Sequence, residues 1–219
     1  MLTEKTLGKL DEWLATHPAP SLQAIGGIIK NHINHSEARA RLLEVAMHAL
    51  LQALEDAGAD LGGNLKPLMP MRTANQKHRN FGDIEIMLGD AVLESWDAKY
   101  DNPYLSDALD VFVEKIRGRD VSELSFGYVL LPEKKHYQDV ERKIADIIEE
   151  YGVEVLVLSF DEWVEVQFTR AQPENASVET VATAWLRAYT ESLALRRTER
   201  APIDEPTHDW LQTLQHLLG

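Results

Sequence analysis

Three ionisable side chains near the middle of the chain have the residue types and spacing that can hold a metal ion and activate water. Asp83 lies in the segment GDIEIM, and Asp97 and Lys99 are two positions apart in VLESWDAKY. Residues two apart in a strand point to the same face, so Asp97 and Lys99 are expected to project together. A hairpin that turns at Gly89 and Asp90 would bring Asp83 beside them. Two carboxylates and one amine at a sheet edge are suited to a divalent cation and its bound water.

The hydrophobic pattern predicts the elements that would position these side chains. Alternating runs at 82–88 and 91–99 predict two antiparallel strands on either side of the turn. Continuous apolar runs at 124–131 and 153–158, separated by an amphipathic helix at 136–151, predict a parallel pair that is covered on both faces. The sum is an α/β fold with α+β character, in which helices flank a mixed sheet.

Helices account for most of the remaining chain. The most strongly patterned helix carries an apolar stripe from Leu42 to Leu54, with Ser36 as its expected N-cap and Gly58 at its end. An edge strand followed by a loop is expected at 69–80. The other helices are expected at 3–15, 21–31, 103–117, 178–197 and 207–218, with a helical or mixed segment at 160–168.

The composition is ordinary for a soluble globular protein. The 219 residues are expected to form a single domain, with an N-terminal helical extension at 1–35, a core at 36–160 and a C-terminal helical part at 161–219. There is no cysteine, which excludes disulfides, thiolate metal sites and cysteine nucleophiles and favours a cytoplasmic location. No segment is apolar enough to span a membrane, and the charged N-terminus is unlike a secretory signal.

The formal net charge of −14 bears on which partners the chain can bind. DNA-binding domains are usually basic, because phosphate contacts dominate their affinity. The acids crowd at 141–154 and 161–165, so the local field near the central segment can still be positive. The bases on either side of that segment are Arg72, Lys77, His78, Arg79, Lys115, Arg117 and Arg119. The acidity of the whole chain favours a partner subunit, or binding that depends on a metal ion.

The order of these residues and elements resembles the PD-(D/E)xK nuclease superfamily, which includes the restriction endonucleases. The resemblance is carried by a Gly-Asp pair and an Asp-Ala-Lys triplet on consecutive strands after a helix. It implies that Asp83 and Asp97 are metal-binding acids and that Lys99 is the lysine beside them. Many members add a glutamate on the first core helix, and Glu44 is the candidate for that role. Gly82 stands where the family pattern has proline.

The resemblance also implies a fold, an activity and a cofactor. The fold is a restriction-endonuclease-like core of a helix, a three-stranded meander, a helix and a strand at 36–131, with additional terminal helices. The activity is Mg²⁺-dependent hydrolysis of DNA phosphodiester bonds, with Mn²⁺ as a substitute, as in a type II restriction endonuclease or a related defence nuclease. Cleavage of both strands would need a homodimer, because one site cuts one strand. The residues expected to contact DNA are Arg72, Lys77, His78, Arg79, Tyr100 and Asn102.

Less specific interpretations stay open at this point. Asp97 and Lys99 would also suit a solvated ion pair on a polar sheet face. Glu44 would suit the edge of an apolar helix stripe, and the basic segment at 72–79 an ordinary solvated loop. Glu85, in the first hairpin strand, is a further candidate ligand. For the whole chain, the acidity suits a non-catalytic interaction or assembly subunit with a nuclease-like fold, or a nuclease subunit that takes its specificity from a partner chain.

Overall fold

The computed structural model describes residues 2–68, 80–102, 104–132, 138–170, 176–199 and 205–219. Within these ranges the chain forms eight helices and a five-stranded mixed sheet, which confirms the predicted α/β class with a mixed sheet flanked by helices. The chain divides into two compact units. They are a helical unit at Met1–Asp60 and Gln167–Gly219 and a sheet unit at Leu61–Val166.

The elements follow one another in an order close to the predicted one. They are α1 (Leu2–Thr16), α2 (Leu22–Asn34), α3 (Arg39–Asp56), β1 (Asn64–Leu65), β2 (Ile84–Leu88), β3 (Ala91–Tyr100), α4 (Leu105–Ile116), β4 (Ser125–Leu131), α5 (Gln138–Tyr151), β5 (Glu154–Ser159), α6 (Phe160–Arg170), α7 (Val178–Glu199) and α8 (Thr207–Leu217). Both hairpin strands, both later strands and the helix between them are confirmed. The segment predicted as helical or mixed is the helix α6.

The sheet has the strand order β1-β2-β3-β4-β5. Strand β2 runs antiparallel to β1 and β3, whereas β3, β4 and β5 are parallel to one another. Gly89 turns the β2–β3 hairpin with φ of +60°, a conformation that glycine adopts without a side-chain penalty. The register pairs Ile84 with Trp96 across the hairpin and Asp97 with Tyr128 across the parallel pair. The start of β2 therefore lies beside the carboxyl-terminal half of β3.

The two faces of the sheet have different coverings. On one face, the Phe126 ring of β4 stacks on Phe112 of α4 with 3.8 Å between ring centroids. This face belongs to a buried cluster that includes Leu109, Phe112, Ile116, Phe126, Tyr128, Val140, Ile147 and Val155. On the other face, the Trp96 indole lies over Gly127 and meets Trp163 of α6 edge to face at 6.0 Å. Each strand residue near the candidate site is thus fixed by packing on one side or the other.

Helix α3 belongs to the helical unit, whereas the sequence groups it with the core at 36–160. Its apolar residues occupy most of its circumference, so it is buried on nearly all sides. Trp185 of α7 donates its indole N–H to the carbonyl oxygen of Ala46 at 2.9 Å. A helix that is apolar on all sides is buried by neighbouring helices. For α3, these neighbours come from the N-terminal and C-terminal parts of the chain.

The structure contradicts the predicted start of α3 and confirms its predicted end. Ser36 was the expected N-cap, and this is wrong: α3 begins at Arg39 after Ala38, which has φ of +51°. The reason is that α2 extends to Asn34, so Ser36 lies in the turn between two helices. Its hydroxyl has no hydrogen-bond partner among the described residues. The predicted end at Gly58 is confirmed, with the Gly58 N–H donated to Glu55 O at 2.9 Å.

One predicted segment lies almost entirely outside the described residues, and one observed strand was not predicted. The expected edge strand and loop at 69–80 fall outside the described residues except for Asn80. The added strand is β1, which pairs Leu65 with Ile86 in a segment where the sequence analysis predicts no strand. Among the helices that the structure describes, none combines the length and the hydropathy that crossing a bilayer requires.

Replacing Gly127 with alanine should destabilise the sheet unit, because the new Cβ would lie 2.2 Å from the Trp96 ring. We expect a loss of about 1–3 kcal/mol in the free energy of unfolding, measured by urea denaturation. A Trp96→Leu background removes the clashing ring atoms, so the same substitution should cost less there. Equal costs in the two backgrounds would contradict the clash.

Candidate active site

The hairpin register places Asp83 and Asp97 side by side. Asp83 directly precedes β2, and its N–H donates to Trp96 O at 2.8 Å, which ties it to β3. The backbones approach so closely here that a Cβ on Gly82 would lie 2.6 Å from Trp96 O and 2.7 Å from Ser95 Oγ. The same close approach accounts for glycine at position 82.

Each of the three predicted side chains has a defined partner in this corner of the sheet. Asp83 Oδ2 accepts a hydrogen bond from the Ala98 N–H at 3.1 Å. Asp97 Oδ2 lies 2.8 Å from the ammonium nitrogen of Lys99, and the two side chains are only 16% and 22% exposed. The carboxyl groups of Asp83 and Asp97 also lie within hydrogen-bonding reach of each other. The structure therefore brings Asp83, Asp97 and Lys99 together.

The crowding of the two carboxyl groups changes how Asp97 ionises. The pKa of Asp97 is raised from its ordinary value of 3.8 to about 7. Burial is the main cause, because a carboxylate loses hydration there, and the negative charge of Asp83 adds to the effect. The Lys99 ammonium opposes both effects without cancelling them. This corner of the sheet would gain stability from additional positive charge.

Tyr128 forms a wall of the site that the sequence did not reveal. Its ring lies 5.6 Å from the Lys99 ammonium, and its hydroxyl donates to the carbonyl oxygen of Ala108 in α4 at 2.8 Å. Burial, with a smaller contribution from the charge of Asp97, raises the pKa of Tyr128, so the phenol stays neutral. In the sequence, Tyr128 is one residue of the continuous apolar run at 124–131, which predicts only a buried strand. Only its register opposite Asp97 identifies it as part of the site.

The oxygen-rich corner suits a hard divalent cation such as Mg²⁺. Carboxylate oxygens are the ligands that Mg²⁺ prefers, and the raised pKa of Asp97 reflects burial and the charge of Asp83, both of which a bound cation would offset. Within the described residues, no group of three or more His, Cys, Asp or Glu side chains is arranged to hold a metal ion. Two carboxylates suffice for Mg²⁺, since it keeps several water ligands and binds substrate phosphate. Asp83 and Asp97 are the residues that would hold it.

Two further acids that the sequence suggested have other partners. Glu85 is buried, and its carboxylate accepts hydrogen bonds from the Phe81 N–H at 2.8 Å and the Lys66 ammonium at 2.6 Å. These bonds give Glu85 a structural role at the start of the hairpin. Glu44 lies on α3 in the helical unit, where it is buried and forms an ion pair with Arg41. The role of Glu44 as a metal ligand stays a prediction.

The residues expected to contact DNA are only partly described. Arg72, Lys77, His78 and Arg79 all lie outside the described residues. Tyr100 ends β3 and, by the alternation of a strand, points to the face opposite Lys99. Asn102 uses its Oδ1 to accept the Tyr104 N–H at 2.7 Å, so it shapes the entry to α4. For all six residues, contact with DNA stays a prediction.

The comparisons with known proteins assign neither a family nor a function to the chain. No protein-family model matches the chain, and no curated protein matches it. The fold of the sheet unit and the chemistry of the Asp83, Asp97 and Lys99 corner are what bear on function.

The raised pKa of Asp97 predicts a pH-dependent stability. The folded state holds more protons than the unfolded state between about pH 4 and pH 7, so the free energy of unfolding should fall as the pH rises through this window. Asp97→Asn, which is neutral at every pH, should exceed the wild type by about 1–3 kcal/mol near pH 8 and lose this advantage towards pH 4. Urea denaturation across this range measures it.

The matched control for that experiment is Asp146→Asn, because Asp146 is exposed on α5. Its pH profile should follow that of the wild type. If Asp97→Asn also followed the wild type at every pH, the raised pKa of Asp97 would be contradicted.

Binding of a divalent cation should raise the melting temperature near neutral pH. A ligand that binds only the folded state at about ten times its Kd stabilises it by roughly 1.4 kcal/mol, which corresponds to a few degrees in Tm. Asp83→Asn and Asp97→Asn should abolish the shift, whereas Asp90→Asn, exposed in the turn of the same hairpin, should keep it. Absence of a shift in the wild type with both Mg²⁺ and Mn²⁺ would count against a cation site.

Proposed function

We propose that this protein is a Mg²⁺-dependent DNA endonuclease of the PD-(D/E)xK type, and within that class a restriction endonuclease or a related defence nuclease. The observation that carries the proposal is the convergence of Asp83, Asp97 and Lys99, with 2.8 Å between the Asp97 carboxylate and the Lys99 ammonium. The order β1, β2, β3, α4, β4 also supports it, because it repeats the meander, helix and strand expected of that core.

Phosphodiester hydrolysis places high negative charge on the phosphate in the transition state. Lys99 supplies a fixed positive charge next to the two carboxylates. The role we propose for Lys99 is electrostatic stabilisation of the phosphate and orientation of the attacking water. Its position is defined, because Asp97 and the Tyr128 ring confine the ammonium group. Lys99 is therefore arranged before substrate arrives.

Asp83 and Asp97 would hold the metal ion. When bound, Mg²⁺ polarises the phosphate and lowers the pKa of a coordinated water. The Ala98 N–H orients the Asp83 carboxylate through its bond to Oδ2, so that carboxylate is preorganised. Burial of Asp97 makes the corner poorly hydrated, which strengthens every electrostatic interaction within it.

The net charge of −14 favours a second function, in which the chain is an interaction or assembly subunit that keeps a nuclease-like fold, or a nuclease subunit whose specificity lies in a partner chain. A single site cuts one strand, so a restriction enzyme of this design would act as a homodimer. These alternatives differ in what the isolated chain does to DNA.

The test is a cleavage assay on supercoiled plasmid and on linear DNA with Mg²⁺ or Mn²⁺. We expect the wild type to nick or cut DNA. Asp97→Ala should abolish cleavage because it removes a metal ligand, and Lys99→Ala should slow it by about 100-fold or more because it removes charge stabilisation from the transition state. Asp90→Ala, in the exposed turn of the same hairpin, should cut like the wild type.

Near-ultraviolet circular dichroism of each variant establishes that the fold is intact. Failure of the wild type to cut any of several DNA substrates with either metal would overturn the proposal. Cleavage that survives Asp97→Ala would trace the activity to a contaminant. Weak, unspecific cutting together with a stable complex in a pull-down would identify the subunit that depends on a partner.

A further inference from the structure

The segment that carries Asp83 into the candidate site is a bend rather than a strand. It comprises residues 80–83 and directly precedes β2, which begins at Ile84. The backbone groups of a bend are not paired in regular order by a neighbouring strand, so side chains or water have to satisfy them. The Asp83 N–H is satisfied by Trp96 O at 2.8 Å. Two residues earlier, Phe81 is held by side chains instead.

Charged side chains hold both backbone groups of Phe81. The Glu85 carboxylate accepts the Phe81 N–H at 2.8 Å, and the Lys115 ammonium, on α4, donates to the Phe81 carbonyl oxygen at 2.8 Å. Hydrogen bonds to ionised groups are roughly twice as strong as those between neutral groups. The Arg119 guanidinium lies 3.7 Å from the centroid of the Phe81 ring, and Phe81 is buried. Phe81 is therefore fixed through its N–H, its carbonyl oxygen and its ring.

Glu85 is in turn fixed by Lys66. The Glu85 side chain is 1% exposed, and its Oε2 accepts a hydrogen bond from the Lys66 ammonium at 2.6 Å. The same ammonium donates to Asn80 Oδ1 at 3.0 Å, at the other end of the bend. The bond from the Phe81 N–H to Glu85 closes a loop of five residues, and Asp83 is the middle residue of that loop.

The position of Phe81 limits the position of Asp83. Only Gly82 separates them, so their Cα atoms lie within about 7 Å of each other. Gly82 is pressed against β3, since a Cβ there would lie 2.6 Å from Trp96 O. The Asp83 carboxylate reaches the Ala98 N–H at 3.1 Å only while the bend stays on β3. A shift of Phe81 would therefore be passed on to the carboxylate of Asp83.

We propose that Lys115 is a positioning residue for the candidate metal site, which holds Asp83 in place through the carbonyl oxygen of Phe81. The inference rests on the proposed nuclease function and deepens it, because Asp83 is one of the two acids that would hold the metal ion. Lys115 acts here through geometry and not through its charge. Loss of a positive charge near a cation site would by itself strengthen cation binding, whereas release of Asp83 would weaken it. The two effects have opposite signs.

Two amide protons report on Asp83 in the metal-free protein, and native-state hydrogen exchange measures them. They are the Asp83 N–H, bound to Trp96 O, and the Ala98 N–H, bound to the Asp83 carboxylate. In Lys115→Met, both should exchange about 10-fold faster, because opening of the bend no longer breaks a charge-assisted hydrogen bond. The Val129 amide, in the central strand β4, should keep its rate, since the sheet unit as a whole stays folded.

Metal binding is measured as the Kd for Mn²⁺ by isothermal titration calorimetry, together with the Mg²⁺ dependence of plasmid cleavage. Lys115→Met should raise the Kd and the half-saturating Mg²⁺ concentration about 10-fold. Lys115→Arg, which keeps a charged donor, should stay close to the wild type. The activity of Lys115→Met should recover at saturating Mg²⁺. A partly unfolded variant would instead lose the same fraction of activity at every Mg²⁺ concentration.

The matched control is Arg117→Met, which removes one positive charge from the same end of α4. Arg117 is exposed and forms an ion pair with Glu114 at 2.9 Å. Its exchange rates and its Kd for Mn²⁺ should match those of the wild type.

The outcomes separate this inference from the proposed function. An unchanged or lower Kd in Lys115→Met overturns the positioning role and leaves the nuclease standing. Faster exchange that includes Val129 also overturns it, because Lys115 would then stabilise the whole sheet unit. If the wild type binds Mn²⁺ but cuts no DNA, the proposed function fails, and the ratio of the two Kd values still decides the role of Lys115. A wild type that binds neither Mn²⁺ nor Mg²⁺ overturns both.

Discussion

The burial of the Asp97 carboxyl group beside Asp83 is the constraint around which this corner of the sheet unit is organised. Burial and the neighbouring charge raise the pKa of Asp97 to about 7, so the fold spends stability near neutral pH to keep them together. The backbone enforces this proximity through the hairpin register and through Gly82, where a side chain would strike Trp96 O. Groups held against their own repulsion are a recurrent mark of functional sites.

The residues around Asp83 and Asp97 contribute a compensating charge and a confining wall. Lys99 offsets part of the negative charge and is confined by the Tyr128 ring, which in turn fixes α4 through Ala108. The same contacts therefore tie the candidate site to the first turn of α4. In a chain with a net charge of −14, Lys99 is a local positive charge held beside two acids.

The parts of the structure that the sequence predicted are those set by local pattern. The hairpin follows from alternating residues around Gly89, and the parallel pair β4 and β5 from two continuous apolar runs. The N-cap prediction is wrong because the length of a neighbouring helix decides where α3 begins. Ser36 has the chemistry of an N-cap, but the length of α2 leaves it in a turn. Glu85 stays a candidate ligand, and the structure adds that Lys66, which follows β1, forms an ion pair with it.

The sequence by itself determined that Asp97 and Lys99 share a strand face, because a strand repeats every two residues whatever surrounds it. It also determined, through the turn at Gly89, that Asp83 could reach them. Only the tertiary structure decided that the Asp97 carboxyl group is buried enough, and close enough to Asp83, for its pKa to be raised. It also decided that Tyr128 borders Lys99, through the parallel pairing of β3 with β4. Burial and pairing between distant segments depend on how the whole sheet packs, which no local spacing encodes.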